Sequence, residues 1–257
     1  MSNPIIWTKD LTVSFGAHRV VDNVSIAIDQ GVFTTIIGPN GAGKTSLFNL
    51  ISGLIKPTSG RIFMRGTDIT HLSPIERVKM GMGRSFQLTN LFPALTVFEN
   101  VRLAIQARSD LGLDMWRPFH RFRAINDEVE SLLGDVRLTE KRSFLAAHLT
   151  HSEQRKLELA MVLSLKPAVL LLDEPTAGMA LEDVPAMLEL LTAIKNDKQK
   201  TTVLIEHKMD LVASLSDVVI VLASGAVLTK GNPSEVADNA LVRAAYLGGG
   251  KYGEASA

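Results

Sequence analysis

Residues 33–45 read Phe33-Thr34-Thr35-Ile36-Ile37-Gly38-Pro39-Asn40-Gly41-Ala42-Gly43-Lys44-Thr45. The first five are apolar or β-branched with no charge among them, which predicts a strand buried on both faces. Leu47, Leu50 and Ile51 then share one side of a 3.6-residue period, so a helix follows the glycines. Between strand and helix stands G-x-x-x-x-G-K-T, in the context that gives this motif its meaning. Glycines let successive N–H groups curl around a β-phosphate, and the helix N-terminus adds partial positive charge. Residues Gly38, Pro39, Asn40, Gly41, Ala42, Gly43, Lys44, Thr45 and Ser46 are therefore the candidate phosphate cradle. Lys44 is expected to neutralise the β- and γ-phosphates, and the Thr45 hydroxyl to ligate Mg²⁺.

Such a site needs an acidic partner from a neighbouring strand. Val169-Leu170-Leu171-Leu172-Asp173-Glu174 supplies one, with four apolar strand residues followed by two carboxylates where the strand emerges. Asp173 is expected to hold Mg²⁺, and Glu174 to polarise the water that attacks the γ-phosphate.

Outward from these two stretches, Val24–Ile28, Thr202–Ile205 and Val218–Leu222 also read as strands, and a Ser224-Gly225 turn joins the last of them to Val227–Thr229 in a hairpin. Ile125, Val129, Leu132, Leu133 and Val136 lie on one helical face, and Val184, Met187, Leu188, Leu191 and Ile194 on another. Strands alternating with helices predict an α/β fold with a largely parallel sheet covered on both sides. Residues before about 30 read differently: Trp7–Phe15 and Val24–Ile28 flank a short turn, which predicts an antiparallel β-element ahead of the core. Helical signals dominate 88–166, so the core is expected over 1–87 and 167–230, with a helical subdomain inserted at 88–166 and a tail at 231–257.

Composition excludes several alternatives. The 257 residues are 46% hydrophobic and 21% charged, an ordinary globular balance that rules out disorder as the main state. Lys plus Arg and Asp plus Glu both number 27, so a nucleic-acid partner is not expected. There is no cysteine, which removes disulfides, thiolate metal sites and cysteine nucleophiles, and the six histidines lack the paired spacing of a zinc site. The apolar stretches are far shorter than the ~20 residues of a membrane-spanning helix. Met1-Ser2-Asn3-Pro4 does not open a secretory signal, so a soluble intracellular protein is expected. Arg108 to Arg123 interleave arginines with Trp116, Phe119 and Phe122. Such a stretch could stack on nucleic acid, lie at lipid headgroups or be the outer face of a small subdomain; Asp110 and Asp114 dilute the charge, which favours the outer face, with membrane-proximal contact next.

Leu172-Asp173-Glu174-Pro175-Thr176, following the phosphate loop at this distance, resembles the ATP-binding cassette family, and the resemblance extends over nearly the whole chain. It implies a P-loop ATPase that binds ATP with Mg²⁺ in a head-to-tail dimer with a second cassette. It also implies roles for three more residues. Gln87, in Gly83-Arg84-Ser85-Phe86-Gln87, matches the glutamine that joins core to helical subdomain and senses the metal. His207, in Leu204-Ile205-Glu206-His207, matches the switch histidine at the γ-phosphate. Phe15, in Val13-Ser14-Phe15-Gly16, is the candidate adenine-stacking aromatic.

Ala177-Gly178-Met179, Asn90-Leu91-Phe92-Pro93, the insert around Leu103–Asn126 and the terminal Ala245-Tyr246-Leu247-Gly248 resemble ATP-binding subunits of importers for branched-chain amino acids or related small amides and acids. That likeness implies separate membrane permeases, a solute-binding protein reached through them, and a peripheral position at the cytoplasmic face of the inner membrane. One departure is plain. The family signature Leu-Ser-Gly-Gly-Gln corresponds here to Leu149-Thr150-His151-Ser152-Glu153, with both glycines replaced. Thr150 and Ser152 are the residues expected to reach the partner's nucleotide.

Overall fold

The computed structural model describes residues 4–85, 91–108 and 119–248. In chain order the elements are β1 (Pro4–Phe15), β2 (His18–Val24), β3 (Ala27–Asp29), β4 (Phe33–Ile37), α1 (Lys44–Ser52), β5 (Ser59–Met64), β6 (Thr67–Asp68), α2 (Pro74–Lys79) and β7 (Met82–Arg84). Then follow α3 (Val97–Arg108), α4 (Phe119–Asp135), α5 (His151–Ser164), β8 (Val169–Asp173), α6 (Val184–Asn196) and β9 (Thr201–Ile205). The last are α7 (Met209–Leu215), β10 (Val218–Ala223), β11 (Ala226–Gly231), α8 (Pro233–Asp238) and α9 (Ala240–Gly248). The chain forms two units, Met1–Met82 with Ala168–Glu174 and Ile194–Ala257, and Gly83–Pro167 with Pro175–Ala193. Residues 175–193, placed by the sequence in the core span 167–230, thus cluster with the second unit.

Within the first unit the parallel sheet runs β10, β4, β9, β8, with β11 antiparallel at the β10 edge. β4 lies between β10 and β9, Ile36 standing opposite Ile220 on one side and Ile205 on the other, and all five β4 residues are buried. Alternate residues supply two cores, because successive strand side chains point to opposite faces. Ile36, Val203, Ile205 and Ile220 pack with Leu47, Phe48, Leu50 and Ile51 of α1. Ile37, Val219 and Val221 pack on the other face with Val212, Val236 and Val242 from α7, α8 and α9. The hairpin between β10 and β11 turns on Ser224 and Gly225, both at positive φ as a two-residue primed turn requires.

The N-terminal antiparallel sheet has the order β2-β1-β5-β6, with β3 also on β1. Val24–Ile28 is not one strand. β1 pairs β3 through Ile6 and Trp7 and then β2 through Leu11 and Val13, so the chain opposite must change position between Val24 and Ala27. The buried Thr8 hydroxyl spans the break, donating to Val24 O at 2.9 Å and accepting from Ile26 N at 3.0 Å. The second unit is helical, with Val97, Val101 and Ile105 of α3 buried along with Val129 and Leu133 of α4 and Leu157 and Ala160 of α5.

Arg77 on α2, only 1% exposed, holds α1 in place in a way sequence pattern did not disclose. A helix leaves its last carbonyls unpaired. Arg77 Nη1 donates to Leu50 O and Ile51 O at 2.6 Å each, while Nη2 reaches Thr70 O at 3.1 Å and Nε reaches Leu72 O at 3.2 Å. Burial pushes the guanidinium down to about 10, still charged at neutral pH. Replacing it would leave these carbonyls in a dry environment. Arg77→Met is expected to lower the unfolding free energy by about 2–4 kcal/mol. Urea unfolding followed by circular dichroism checks this, and an unchanged midpoint would count against the interpretation.

Candidate functional site

The loop that leaves β4 is shaped by close approaches that only glycine allows. Gly38 has φ +153°, and a Cβ there would sit 2.1 Å from Leu222 O; Gly43 has φ +94°, with Val20 O 2.5 Å from any Cβ. Ala42 is pinned twice, its N–H donating to Pro39 O at 3.2 Å and its carbonyl accepting from Gly225 N at 3.2 Å. Asn40 and Gly41 form the exposed tip, while Thr45 and Ser46 are half-buried in the first turn of α1. That helix starts from Gly43 with no side-chain cap, so its first turn takes no acceptor from its own cap residue, and an anion can supply one.

Lys44 is only 6% exposed. Its Nζ folds back on the loop, donating to Gly38 O at 2.7 Å and Pro39 O at 3.0 Å. Burial draws this ammonium below the ordinary lysine value, and the carboxylates of Glu174 and Asp173 oppose that shift. The three charges therefore act on one another, although 130 residues separate Lys44 from Glu174 in sequence. Adjacency of β4, β9 and β8 in a parallel sheet brings their carboxyl ends together, the usual place for a ligand in such folds.

Asp173, the last residue of β8, is 1% exposed. Glu174 follows at φ +46°, a left-handed conformation uncommon for a residue with a side chain, held by its N–H on Ile205 O at 3.0 Å. This kink turns the carboxylate to His207, whose Nε2 lies 2.6 Å from Glu174 Oε1. The structure thus brings together four of the residues singled out from sequence: Lys44, Asp173, Glu174 and His207. Among the described residues no group of three or more His, Cys, Asp or Glu could hold a metal alone. Thr45 and Asp173 instead offer a hydroxyl and a buried carboxylate, a partial oxygen set that suits Mg²⁺ shared with phosphates.

Phe15 ends β1 with 56% of its surface exposed, free to take a stacking partner. Gln87 lies outside the described residues. So do most of the residues from Arg108 to Arg123. Arg108 itself forms a bidentate pair with Glu128, at 2.9 Å on each arm, and its Nη1 also donates to Ser164 O. It is a structural fork inside the helical unit.

In the second unit the altered signature caps α5. The Thr150 hydroxyl accepts from Glu153 N at 3.3 Å, and Thr150 N donates to Glu153 Oε2 at 2.9 Å, a reciprocal capping box. Lys141 pairs with the other Glu153 oxygen, so the extra negative charge is turned back on the helix and matched. The Ser152 side chain, 4% exposed, donates to Asp183 Oδ2 at 2.5 Å. His151 covers Gly178, where a Cβ would meet its ring at 3.1 Å. Thr150, whose hydroxyl is expected to reach a partner's nucleotide, and Ser152, expected to offer its N–H, thus both make side-chain contacts within their own unit.

Comparison with known proteins gives a consistent result. The model of the ABC transporter family matches residues 21–177. The chain is 35% identical to the high-affinity branched-chain amino acid transport ATP-binding protein BraF of Pseudomonas aeruginosa, and 36% identical to LivG, of the same description, from Salmonella typhimurium. Both alignments cover 96% of this chain and 99% of the relative. Among solved structures, the ADP conformation of an ATP-binding cassette of an ABC transporter superposes with TM-score 0.80 at 28% identity, over 96% of this chain and 100% of the other. A dimeric bacterial ABC transporter cassette gives TM-score 0.77 at 25% identity, over 89% and 98%.

Lys44→Ala removes the cation that the loop now holds in reserve on its own carbonyls. ATP affinity is expected to fall at least about tenfold, since hydrogen bonds to charged groups carry ~1.5–3 kcal/mol each. Equilibrium titration with ATP measures it; unchanged affinity would remove Lys44 from the site.

Proposed function

The chain belongs to the ABC transporter family, and from that premise we propose that it binds and hydrolyses ATP to drive uptake of branched-chain amino acids or a closely related small solute through separate membrane permeases. The observation that carries the chemistry is the meeting of Lys44, Asp173, Glu174 and His207 at the carboxyl end of one parallel sheet. The solute class is supported by similarity that runs the full length of relatives named for branched-chain amino acid transport.

In this reading the phosphates lie on the N–H groups of residues 38–46, and Lys44 leaves Gly38 O and Pro39 O to meet them. Thr45 and Asp173 would hold Mg²⁺, with Gln87 as a further contact. When bound, the metal neutralises charge between the β- and γ-phosphates. Glu174 accepts a proton from the attacking water, and His207, now on Glu174, contacts the γ-phosphate. Phe15 stacks on adenine. A second cassette lies head to tail against this one, with a solute-binding protein acting through the permeases. No described helix is long and apolar enough to cross a membrane, which suits a peripheral place at the cytoplasmic face of the inner membrane.

The signature geometry favours unequal sites. Thr150 caps its own helix, and Ser152 is bonded to Asp183. Where the partner is a different cassette with an intact signature, the composite site completed by Thr150–Glu153 should therefore turn over more slowly than the one built on Lys44 and Glu174. The test is the reconstituted transporter with the catalytic glutamate replaced in one cassette at a time. Glu174→Gln is expected to cut hydrolysis by a factor of order 10² to 10⁴ while ATP binding persists. The matching change in a distinct partner cassette should cost much less. Equal residual rates would refute the asymmetry, and an active Glu174→Gln complex would remove Glu174 from its role.

A further inference from the structure

The N-terminal sheet turns one face to the core and the other to solvent. Ile6 and Thr8 of β1 and Ile62 and Met64 of β5 point inward and are buried, so the residues that alternate with them face out. On that outer face, residues directly opposite one another across β1 and β5 form three pairs in succession. Trp7 and Phe63 stack with ring centroids 3.7 Å apart and planes 7° from parallel. Lys9 then stands opposite Arg61, and Thr12 opposite Ser59. A flat apolar surface, two cations and two hydroxyl residues thus follow one another along a cavity of about 830 Å³, which β2 also borders.

Packing alone does not account for two features of this face. Like charges directly opposite in a sheet are destabilising. Yet Lys9 makes no ion pair with another described residue, and Arg61 reaches only Asp68, at 3.8 Å and in the open, where such a pair counts for little. The acids at the cavity are engaged elsewhere: Asp22 pairs with Arg19 at 2.9 Å, and Asp10 accepts from the Ser25 hydroxyl at 3.1 Å. The second feature is a bulge. The β1–β5 register shifts between Lys9 and Thr12, Asp10 has φ +50°, and a Cβ on Gly60 would lie 2.3 Å from Asp10 O. Bulges of this kind re-aim side chains and recur beside binding sites.

None of these residues belongs to the phosphate loop or to the pair Asp173 and Glu174. We infer that this outer face is a second ligand site, for a planar aromatic ring that carries a phosphate or a carboxylate. The ring lies against Trp7 and Phe63, and the anion sits between Lys9 and Arg61, where it offsets their repulsion. The volume suits a molecule the size of a nucleoside monophosphate. The inference does not depend on residues 38–46 binding nucleotide and would survive the failure of that reading.

Trp7 and Trp116 are the two tryptophans of the chain, so Trp116→Phe leaves Trp7 as the single indole reporter. Its fluorescence is followed in the full chain during titration with adenosine monophosphate, with benzoate and with inorganic phosphate. A saturable change is expected with one or both aromatic anions, and which of them binds tells phosphate from carboxylate as the anionic group. Inorganic phosphate should bind about fivefold more weakly or worse, for want of a ring to stack. Lys9→Ala with Arg61→Ala should weaken binding about tenfold or more. The melting temperature should not fall, because a like-charge pair is removed. Lys44→Ala, aimed at the phosphate loop, should leave this titration as it is. The inference is overturned if neither aromatic anion gives a saturable change, or if binding is indifferent to Lys9 and Arg61. It is equally overturned if inorganic phosphate binds as tightly as the ring-bearing anions, the mark of a bare cationic patch, or if Lys44→Ala abolishes the signal, which places the probe in the phosphate loop. If the paired variant does not fold, the exposed single change Lys9→Gln decides: weaker binding supports the site, and unchanged binding refutes it.

Discussion

A lysine ammonium almost sealed from water must be met by acceptors, and Lys44 finds them in the backbone that also forms its binding loop. That constraint orders much of the first unit. The loop can turn its carbonyls to Lys44 only because Gly38 and Gly43 adopt conformations and approaches closed to other residues. It can start where it does only because β4 is central and buried on both faces. Asp173 and Glu174 sustain the ammonium's charge against burial from the neighbouring strand ends. The arrangement is a cation held on neutral carbonyls, beside two carboxylates that oppose the effect of its burial. A phosphate is a stronger acceptor than a carbonyl, so the stored state favours exchange.

The parts of this site that sequence discloses are those whose chemistry is local. A glycine-rich turn followed by Lys-Thr, and an apolar strand ending in two acids, each carry their meaning within a few residues. His207 and Phe15 needed the family likeness, because a lone histidine after a strand or an aromatic at a strand end has common structural readings. Arg77 was invisible for a different reason. Its partners are backbone carbonyls at 50, 51, 70 and 72, and no residue type marks a carbonyl that needs a donor. The break between β2 and β3 was hidden likewise: Val24–Ile28 is β-prone throughout, and only the change of partner along β1 divides it.

The altered signature shows how a substitution can be absorbed by its own subunit. Glu153 in place of the signature's last residue would bring unwanted charge to a helix N-terminus that should meet a phosphate. Here it completes a capping box with Thr150 and pairs with Lys141, so the charge stabilises the helix start and is neutralised. Ser152 and His151 in place of glycines fill space against Asp183 and Gly178. The segment is self-consistent as an ordinary capped helix, which is a different optimum from a helix end left open for a ligand.

Glu174 shows the opposite arrangement. Its backbone sits in a conformation that costs of order 1 kcal/mol for a residue bearing a side chain, and it is over-determined by the Ile205 carbonyl on one side and His207 on the other. A purely structural carboxylate at the end of a strand has no need of that turn, since the extended conformation of β8 would simply continue. Strain kept where two neighbouring strand ends both hold it in place fits a group whose direction matters more than its comfort. The partner that fixes that direction is an imidazole with more than a third of its surface open to solvent, so the direction is set by a contact that an incoming ligand can reach. Between the signature and this kink the chain uses two strategies. Where the sequence has lost its glycines, side chains satisfy one another within the second unit; where the backbone is strained, it turns a carboxylate to a histidine.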